Sequence, residues 1–291
     1  MSTRAPSIVT IVKRALSSEV ALPRGSTLLV AVSGGADSMV LLHVLARLAP
    51  SFGITLRAHG VDHGLRPEAS AELDAAEGFA RSLEVPFGRS TAEVARGGNL
   101  QARARNARHA LLRAAAVREG ARAIATAHHA DDRAETVLMR LMRGAGARGL
   151  GVLPPRAPAA TSEIELVRPL LRARRAAVRA HAARHGIPFA DDPSNADPRY
   201  LRARVRQDVL PVLERLAPGV VDHLTALADE LGQGSTPASN GPSAGAFPFD
   251  LPRATQIALV DLARSRSASA RVWLPHGLVV TVDPRARPGK K

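Results

Sequence analysis

The segment Thr27–Ser38 (TLLVAVSGGADS) constrains this chain more than any other: a run of strand-forming residues enters a Ser/Gly turn and leaves it as an apolar-periodic helix. That order makes a cradle for an anion, because the N–H groups of the turn converge on one point and the helix N-terminus adds partial positive charge there. Gly34 and Gly35 admit positive φ and a close approach of the ligand, and Ser33 and Ser38 add hydroxyl donors. Ser33, Gly34, Gly35, Ala36, Asp37 and Ser38 are therefore the expected contacts to a nucleotide's phosphates. Asp37 is the odd member, since a carboxylate beside a phosphate repels it unless a cation lies between them. It is assigned to Mg2+. The turn has no Gly-Lys-Ser/Thr ending, which excludes a Walker loop. The plainer reading of the same residues is a turn followed by a helix cap.

Around this loop, strand-like and helix-like segments alternate. Helices are expected from about Ser38 to Leu48, from near Pro67, over Asn99–Glu119 and over Asp132–Arg143. Strands are expected at Ile54–Val61, Val85–Ser90 and Ala123–Ala127. This alternation predicts an α/β fold with a doubly wound, mostly parallel sheet covered on both faces. Gly144–Ala160 reads as loop, Arg172–His185 as a basic helix and Arg199–Leu216 as a helix broken near Pro211. Gly232–Phe247 reads as a flexible linker, and Arg271–Leu274 with Leu278–Val282 as a short strand pair turning at His276-Gly277. The expected division is a catalytic domain over 1–216, including the helical extension from about 172. Residues 217–291 then comprise a helix, the linker and a short tail.

Composition narrows the chemistry. The 291 residues carry a net charge of +14, which attracts polyanions, nucleic acid first among them. Lysines occur only at Lys13, Lys290 and Lys291, so nearly all cations are arginine. That bias is read as codon choice, whereas the sign of the charge is read as function. There is no cysteine, which excludes disulfides, thiolate metal sites, cysteine-ligated iron–sulfur clusters and a cysteine nucleophile in this chain. No apolar run is long enough to span a membrane and the N-terminus does not read as a signal peptide, so a cytoplasmic location is expected.

The loop SGGADS resembles that of the N-type ATP pyrophosphatases, SGGxDS. Membership implies cleavage of ATP between the α- and β-phosphates and adenylation of a carbonyl oxygen. Further segments sharpen the resemblance: His59–Arg66 (HGVDHGLR), Gln101–His109 (QARARNARH), His128–Thr136 (HHADDRAET), Arg143–Pro155 (RGAGARGLGVLPP) and Phe189–Pro211 (FADDPSNADPRYLRARVRQDVLP). In order and spacing they look like the tRNA(Ile)-lysidine synthetase family. That family adenylates the C2 carbonyl oxygen of the wobble cytidine in an isoleucine tRNA with a CAU anticodon. The amine of free lysine then displaces AMP. The resemblance covers about Thr27 to Leu216 and implies ATP and Mg2+ as cofactors, with that tRNA and lysine as partners.

The residues suit such a reaction. Asp132 and Glu135, three apart at a helix start, share one face. They could join Asp37 on Mg2+, Asp132 being the nearer possibility, or orient the cytosine and the lysine ammonium. The same Asp-x-x-Glu spacing is also a capping pattern. Arg105 and Arg108 match the family's paired arginines and suit bidentate phosphate contacts. His63 and Arg66 are placed near the nucleotide, whereas His59 and His129 are read as packing residues. Arg103, with Arg172 and Arg175 in the first basic run and Arg202 and Arg206 in the second, are the candidate tRNA-backbone contacts. The chain departs from the family pattern at Gln101, His109 and Ala203. Larger family members carry extra domains for the acceptor stem, and only about 75 residues follow Leu216 here. The competing readings are a thiolase-like tRNA enzyme of the same superfamily, disfavoured by the lack of cysteine, and a non-catalytic RNA-binding relative.

Overall fold

The computed structural model describes residues 6–62, 64, 68–92, 100–157, 164–191, 197–233, 271–273 and 279–281. The expected positions His63 and Arg66 lie outside these residues, as do 192–196 of the Phe189–Pro211 segment, most of the linker and the turn at His276-Gly277.

A helix α1 (Ile8–Ser17) precedes the first strand β1 (Thr27–Val32). There follow α2 (Ala36–Phe52), β2 (Thr55–Asp62), α3 (Glu68–Ser82), β3 (Phe87–Thr91), α4 (Leu100–Arg118), β4 (Ala121–Ala125) and α5 (Ala130–Met142). Next come a single turn α6 (Ala147–Leu150), β5 (Arg156–Ala157), β6 (Glu165–Val167) and α7 (Arg175–Arg184). A short α8 (Leu201–Arg204) then passes through a π-helical turn (Val205–Val209) into α9 (Leu210–Leu216), and α10 (Val220–Gln233) follows. The tail supplies β7 (Arg271–Trp273) and β8 (Val279–Thr281), paired antiparallel as expected.

The six-stranded sheet has the order β3-β2-β1-β4-β6-β5 and is parallel except for β5. β1 shows why it is buried on both sides. Leu28, Val30 and Val32 belong to the core under α1, α2 and α7, while Leu29 and Ala31 pack with Leu112, Ala115 and Ala116 of α4 on the other face. A strand that alternates between two apolar cores must be apolar throughout, as TLLVAV is.

The strand order decides where a ligand can sit. The chain moves outward from β1 to β2 and β3, then returns to the far side of β1 to lay down β4. The carboxyl ends of β1 and β4 therefore flank the point where winding reverses, the crevice in which open α/β sheets bind ligands. The SGGADS turn leaves β1 there and the HHADDRAET segment leaves β4.

Several expected bounds shift. α5 begins at Ala130 rather than Asp132, because His129 caps it. α7 begins at Arg175 rather than Arg172, since residues 168–173 form tight turns, with Ala173 N donating to Leu170 O. The segment read wholly as loop after Gly144 contains α6 and the edge strand β5. The break expected near Pro211 is the π turn just before it. α1 and β6 had no counterpart in the sequence reading. α10 lies beyond the expected boundary at 216 and packs on α5, with Val221 against Ala130, Ala134 and Leu210, and Ala228 against Val137 and Leu150. Among the described residues, no helix is long and apolar enough to cross a membrane.

Candidate active site

The phosphate loop is braced from within. Ser38 Oγ accepts from Ser33 N (3.1 Å) and donates to Gly35 O (2.9 Å), so this hydroxyl shapes the turn, while Ser33 stays exposed at its mouth. Gly34 has φ +80°, and a Cβ there would lie 3.0 Å from the main-chain oxygen of Glu72 on α3. Both conformation and space therefore require glycine. Gly34 O accepts from Ala190 N at 3.0 Å, which fastens the loop to the segment after α7. Gly35 is the N-cap of α2 and offers no side-chain cap. The first amides of α2 thus lack a side-chain acceptor of the kind that Ser7 gives α1 and His129 gives α5, the state an anion site needs.

Asp37, in that first turn, is 39% exposed, and its Oδ1 is buried without a hydrogen-bond partner. Facing it from β4's side is His129, which is fully buried. His129 is the N-cap of α5. Its Nδ1 accepts from Asp132 N (3.3 Å), and its own N–H donates to Asp132 Oδ2 (3.0 Å), a capping box. Its Nε2 lies 3.6 Å from Asp37 Oδ2 and 3.4 Å from Asp132 Oδ2. Burial disfavours a charged ring, but the pairing with Asp37 and Asp132 outweighs it and raises the pKa.

Asp132 and Glu135 form the floor. Glu135 is fully buried and accepts from Arg175 Nη2 (2.9 Å), Arg202 Nε (2.8 Å) and Arg206 Nε (2.7 Å). Burial alone would raise its pKa. The guanidinium groups of Arg206, Arg202 and Arg175 lower it instead. Asp132 accepts from Arg202 Nη2 at 2.9 Å. Its pKa falls to about 2, since His129, Arg202, His128 and the capping N–H together exceed the penalty of burial. Asp131 accepts from Arg175 N at 2.7 Å and so pins the start of α7.

On the α4 side the field is positive. His128, hydrogen-bonded through Nδ1 to Thr126 Oγ1 (3.0 Å), has its pKa lowered to about 3, by burial first. Asp132 opposes that shift, while Arg168, Arg105 and Arg202 add to it. His109 is lowered to about 4 by burial and by Arg105, Arg108, Arg113 and Arg168. Arg105, exposed, thus stands at the rim of the crevice beside the neutral rings of His109 and His128, with the more buried Arg108 behind it beside His109.

The structure brings Ser33, Gly34, Gly35, Ala36, Asp37 and Ser38 together with Asp132, Glu135 and Arg105. It gives some of them other tasks than expected. Glu135 has no oxygen left for a cation, since each accepts from arginine. Arg175, Arg202 and Arg206, expected to face tRNA, turn inward onto the Asp132–Glu135 pair. Arg172 binds Glu19 (2.5 Å) and also Asp229, which in turn holds the buried Arg133 at 2.6 Å. The physical reason is common to all: the acids that neutralise these arginines are distant in sequence. Arg103 lies on the same helix as Arg105, part-exposed. His129, read as a packing residue, is instead central. The signal for it was the pairing of His129 with an acid three residues on, a capping pattern with histidine in the cap position. Among the described residues no group of three or more acidic or histidine side chains has the geometry of a complete metal cage.

A family model, described as a PP-loop domain, matches residues 8–213. A tRNA(Ile)-lysidine synthase of Salinispora arenicola is 42% identical over 234 residues, covering 78% of this chain and 69% of that protein. One from Burkholderia mallei is 41% identical over 210 residues, 72% of this chain. The chain spans about half the length of the curated relatives it matches, 42% in the Burkholderia case. Among solved structures, the U34-tRNA thiolase NcsA from Methanococcus maripaludis, with its [4Fe-4S] cluster, aligns with a TM-score of 0.66 at 19% identity over 78% of each chain. At that identity the likeness speaks to the fold.

Proposed function

The chain belongs to the PP-loop family, among the tRNA(Ile)-lysidine synthases, and from that membership we propose that it uses ATP to join lysine to C2 of the wobble cytidine in a CAU-anticodon isoleucine tRNA. The observation that carries this reading is the convergence of Asp37 from the β1 end and Asp132 from the β4 end on one buried imidazole nitrogen, at 3.6 and 3.4 Å. A nucleotide's phosphates on the α2 N-terminus would then lie beside the acids that open α5 and the arginines that pair with them.

In the proposed course, the C2 carbonyl oxygen attacks the α-phosphorus, a P–O bond forms and pyrophosphate leaves. The amine of lysine next attacks C2, its C–N bond forms, and AMP departs with the carbonyl oxygen. The first amides of α2 hold the phosphates. Arg105 and Arg108 offset phosphate charge from the α4 side, where guanidinium groups suit phosphate oxygens. Asp132, which keeps 13% of its side chain exposed where Glu135 keeps none, orients the cationic amino acid or the base. Glu135 acts through Arg175, Arg202 and Arg206 and is a positioning residue.

Mg2+ fits this site at Asp37, whose buried Oδ1 is an acceptor without a donor. Such an ion needs only one or two carboxylates besides phosphates and water. Asp132 is the poorer ligand, because Arg202 and the His129 N–H already occupy its oxygens. When bound, the ion would supply charge neutralisation for the departing pyrophosphate. A sulfur-delivering reaction is disfavoured by the absence of cysteine from this chain.

The position of ATP cleavage tests the proposal. The full chain, given ATP, Mg2+, lysine and the tRNA, should release AMP and pyrophosphate in a tRNA-dependent manner. Release of ADP and phosphate would contradict it.

A further inference from the structure

We propose that His129 is the positioning residue for Asp37: by capping α5 through Nδ1 it fixes its proton on Nε2 and presents that N–H to the acid of the phosphate loop. The proposal rests on the reading of Asp37 as the acid that serves Mg·ATP.

The cap fixes the tautomer of the ring. A main-chain N–H, that of Asp132, is aimed at His129 Nδ1 from 3.3 Å, so this nitrogen holds its lone pair inward. In a neutral imidazole the other nitrogen must then carry the proton. Nε2 lies 3.6 Å from Asp37 Oδ2 and 3.4 Å from Asp132 Oδ2, the latter already accepting the His129 main-chain N–H, in a ring with no exposed surface. Neither Nε2 nor Asp37 Oδ1 has a hydrogen-bond partner, although both are buried. An unsatisfied donor facing an acid with an unsatisfied acceptor is costly on both sides. A small approach of the loop joins Nε2–H to the carboxylate and leaves the second oxygen for a cation. The helix cap thus acts across the crevice. It converts the geometry of the β4–α5 junction into the rotamer of a side chain on α2, at the ends of two paired strands.

Two conservative variants separate the two nitrogens. Asparagine reproduces Nδ1 and is itself a strong N-cap, but it cannot reach Asp37. Glutamine places an amide near the Nε2 position and loses the cap. His129→Asn should keep the melting temperature within about 2 °C of the wild type while weakening Mg·ATP binding, measured by calorimetry, about tenfold or more. His129→Gln should lower the melting temperature by about 4 °C, as loss of a cap does, yet bind Mg·ATP more tightly than His129→Asn. In the unmodified protein, 15N spectra of the imidazole should show the proton on Nε2. The inference is overturned by wild-type Mg·ATP affinity in His129→Asn, by stability and affinity falling together in both variants, or by a proton found on Nδ1. Asp37→Asn distinguishes the premise: unchanged Mg·ATP affinity in that variant sinks the reading of Asp37 itself, whatever His129 does.

Discussion

Arg206, on the π-helical turn, lies side-on against the buried carboxylate of Glu135, with Nε 2.7 Å from Oε1 and Nη2 3.1 Å from Oε2. Arg202 and Arg206 stand four apart and both reach this one acid, which joins α8 and the π turn to α5, while Arg175 brings in α7. π turns inside helices recur where a side chain must be aimed at a functional site. Removing the acid leaves three guanidinium groups to share Asp132 alone, 2.9 Å from Arg202 and 3.7 and 3.8 Å from Arg206 and Arg175. Removing one arginine leaves two on the acid. Glu135→Ala should therefore cost about 3 kcal/mol of stability, and Arg206→Ala about 1 kcal/mol, since the arginines are part-exposed. Urea unfolding of both variants checks the order, and a larger loss from Arg206→Ala would contradict the hub.

The arginines also change what salt dependence can show. Binding of RNA to a chain of +14 charge should weaken steeply with salt, because phosphate contacts release counterions. Arg172, however, is spent on Glu19 and Asp229. Arg172→Ala should leave the slope of log affinity against log salt unchanged and lower the melting temperature. Arg103→Ala, part-exposed on α4, should reduce the slope by about one. Filter binding over a salt series checks both, and a reduced slope in Arg172→Ala would show that residue on the RNA.

The β1 loop, the β4 loop and the arginine helix were legible in the sequence because each carries its chemistry within a dozen residues, on strands of plain apolar character. Their meeting at the reversal of winding follows from the alternation of strands and helices. What the sequence withheld is of another kind. Glu135 and its arginines are separated by 40 to 71 positions, and periodicity along a helix reveals a cation without its partner. β6 has three residues, too few for a pattern, and exists because β4 offers it an edge. His129 looked like packing since its role needs two elements, the cap it makes and the acid it faces.

Acid should loosen the fold through a second group of histidines. His181 on α7 is 7% exposed, with Nε2 3.2 Å from Nδ1 of His43 on α2. Its pKa is lowered to about 4, by burial first, then by His185, His43, Arg47 and Arg184. Below about pH 6.5 the unfolded chain binds a proton here that the folded chain refuses, so stability must fall as pH drops from about 6.5 toward 4. His181→Asn should flatten that part of the profile of melting temperature against pH. An unaltered profile would remove His181 from the account.

The central claim concerns a tRNA base activated by ATP at the crevice between β1 and β4 and captured by an amine. It is tested most directly by incubating the full chain with labelled lysine, ATP, Mg2+ and CAU-anticodon isoleucine tRNA. The account predicts label bound to that tRNA, dependent on ATP and lost in Asp37→Asn. A tRNA that stays unlabelled with the unmodified protein, or that labels equally well without ATP, would contradict it.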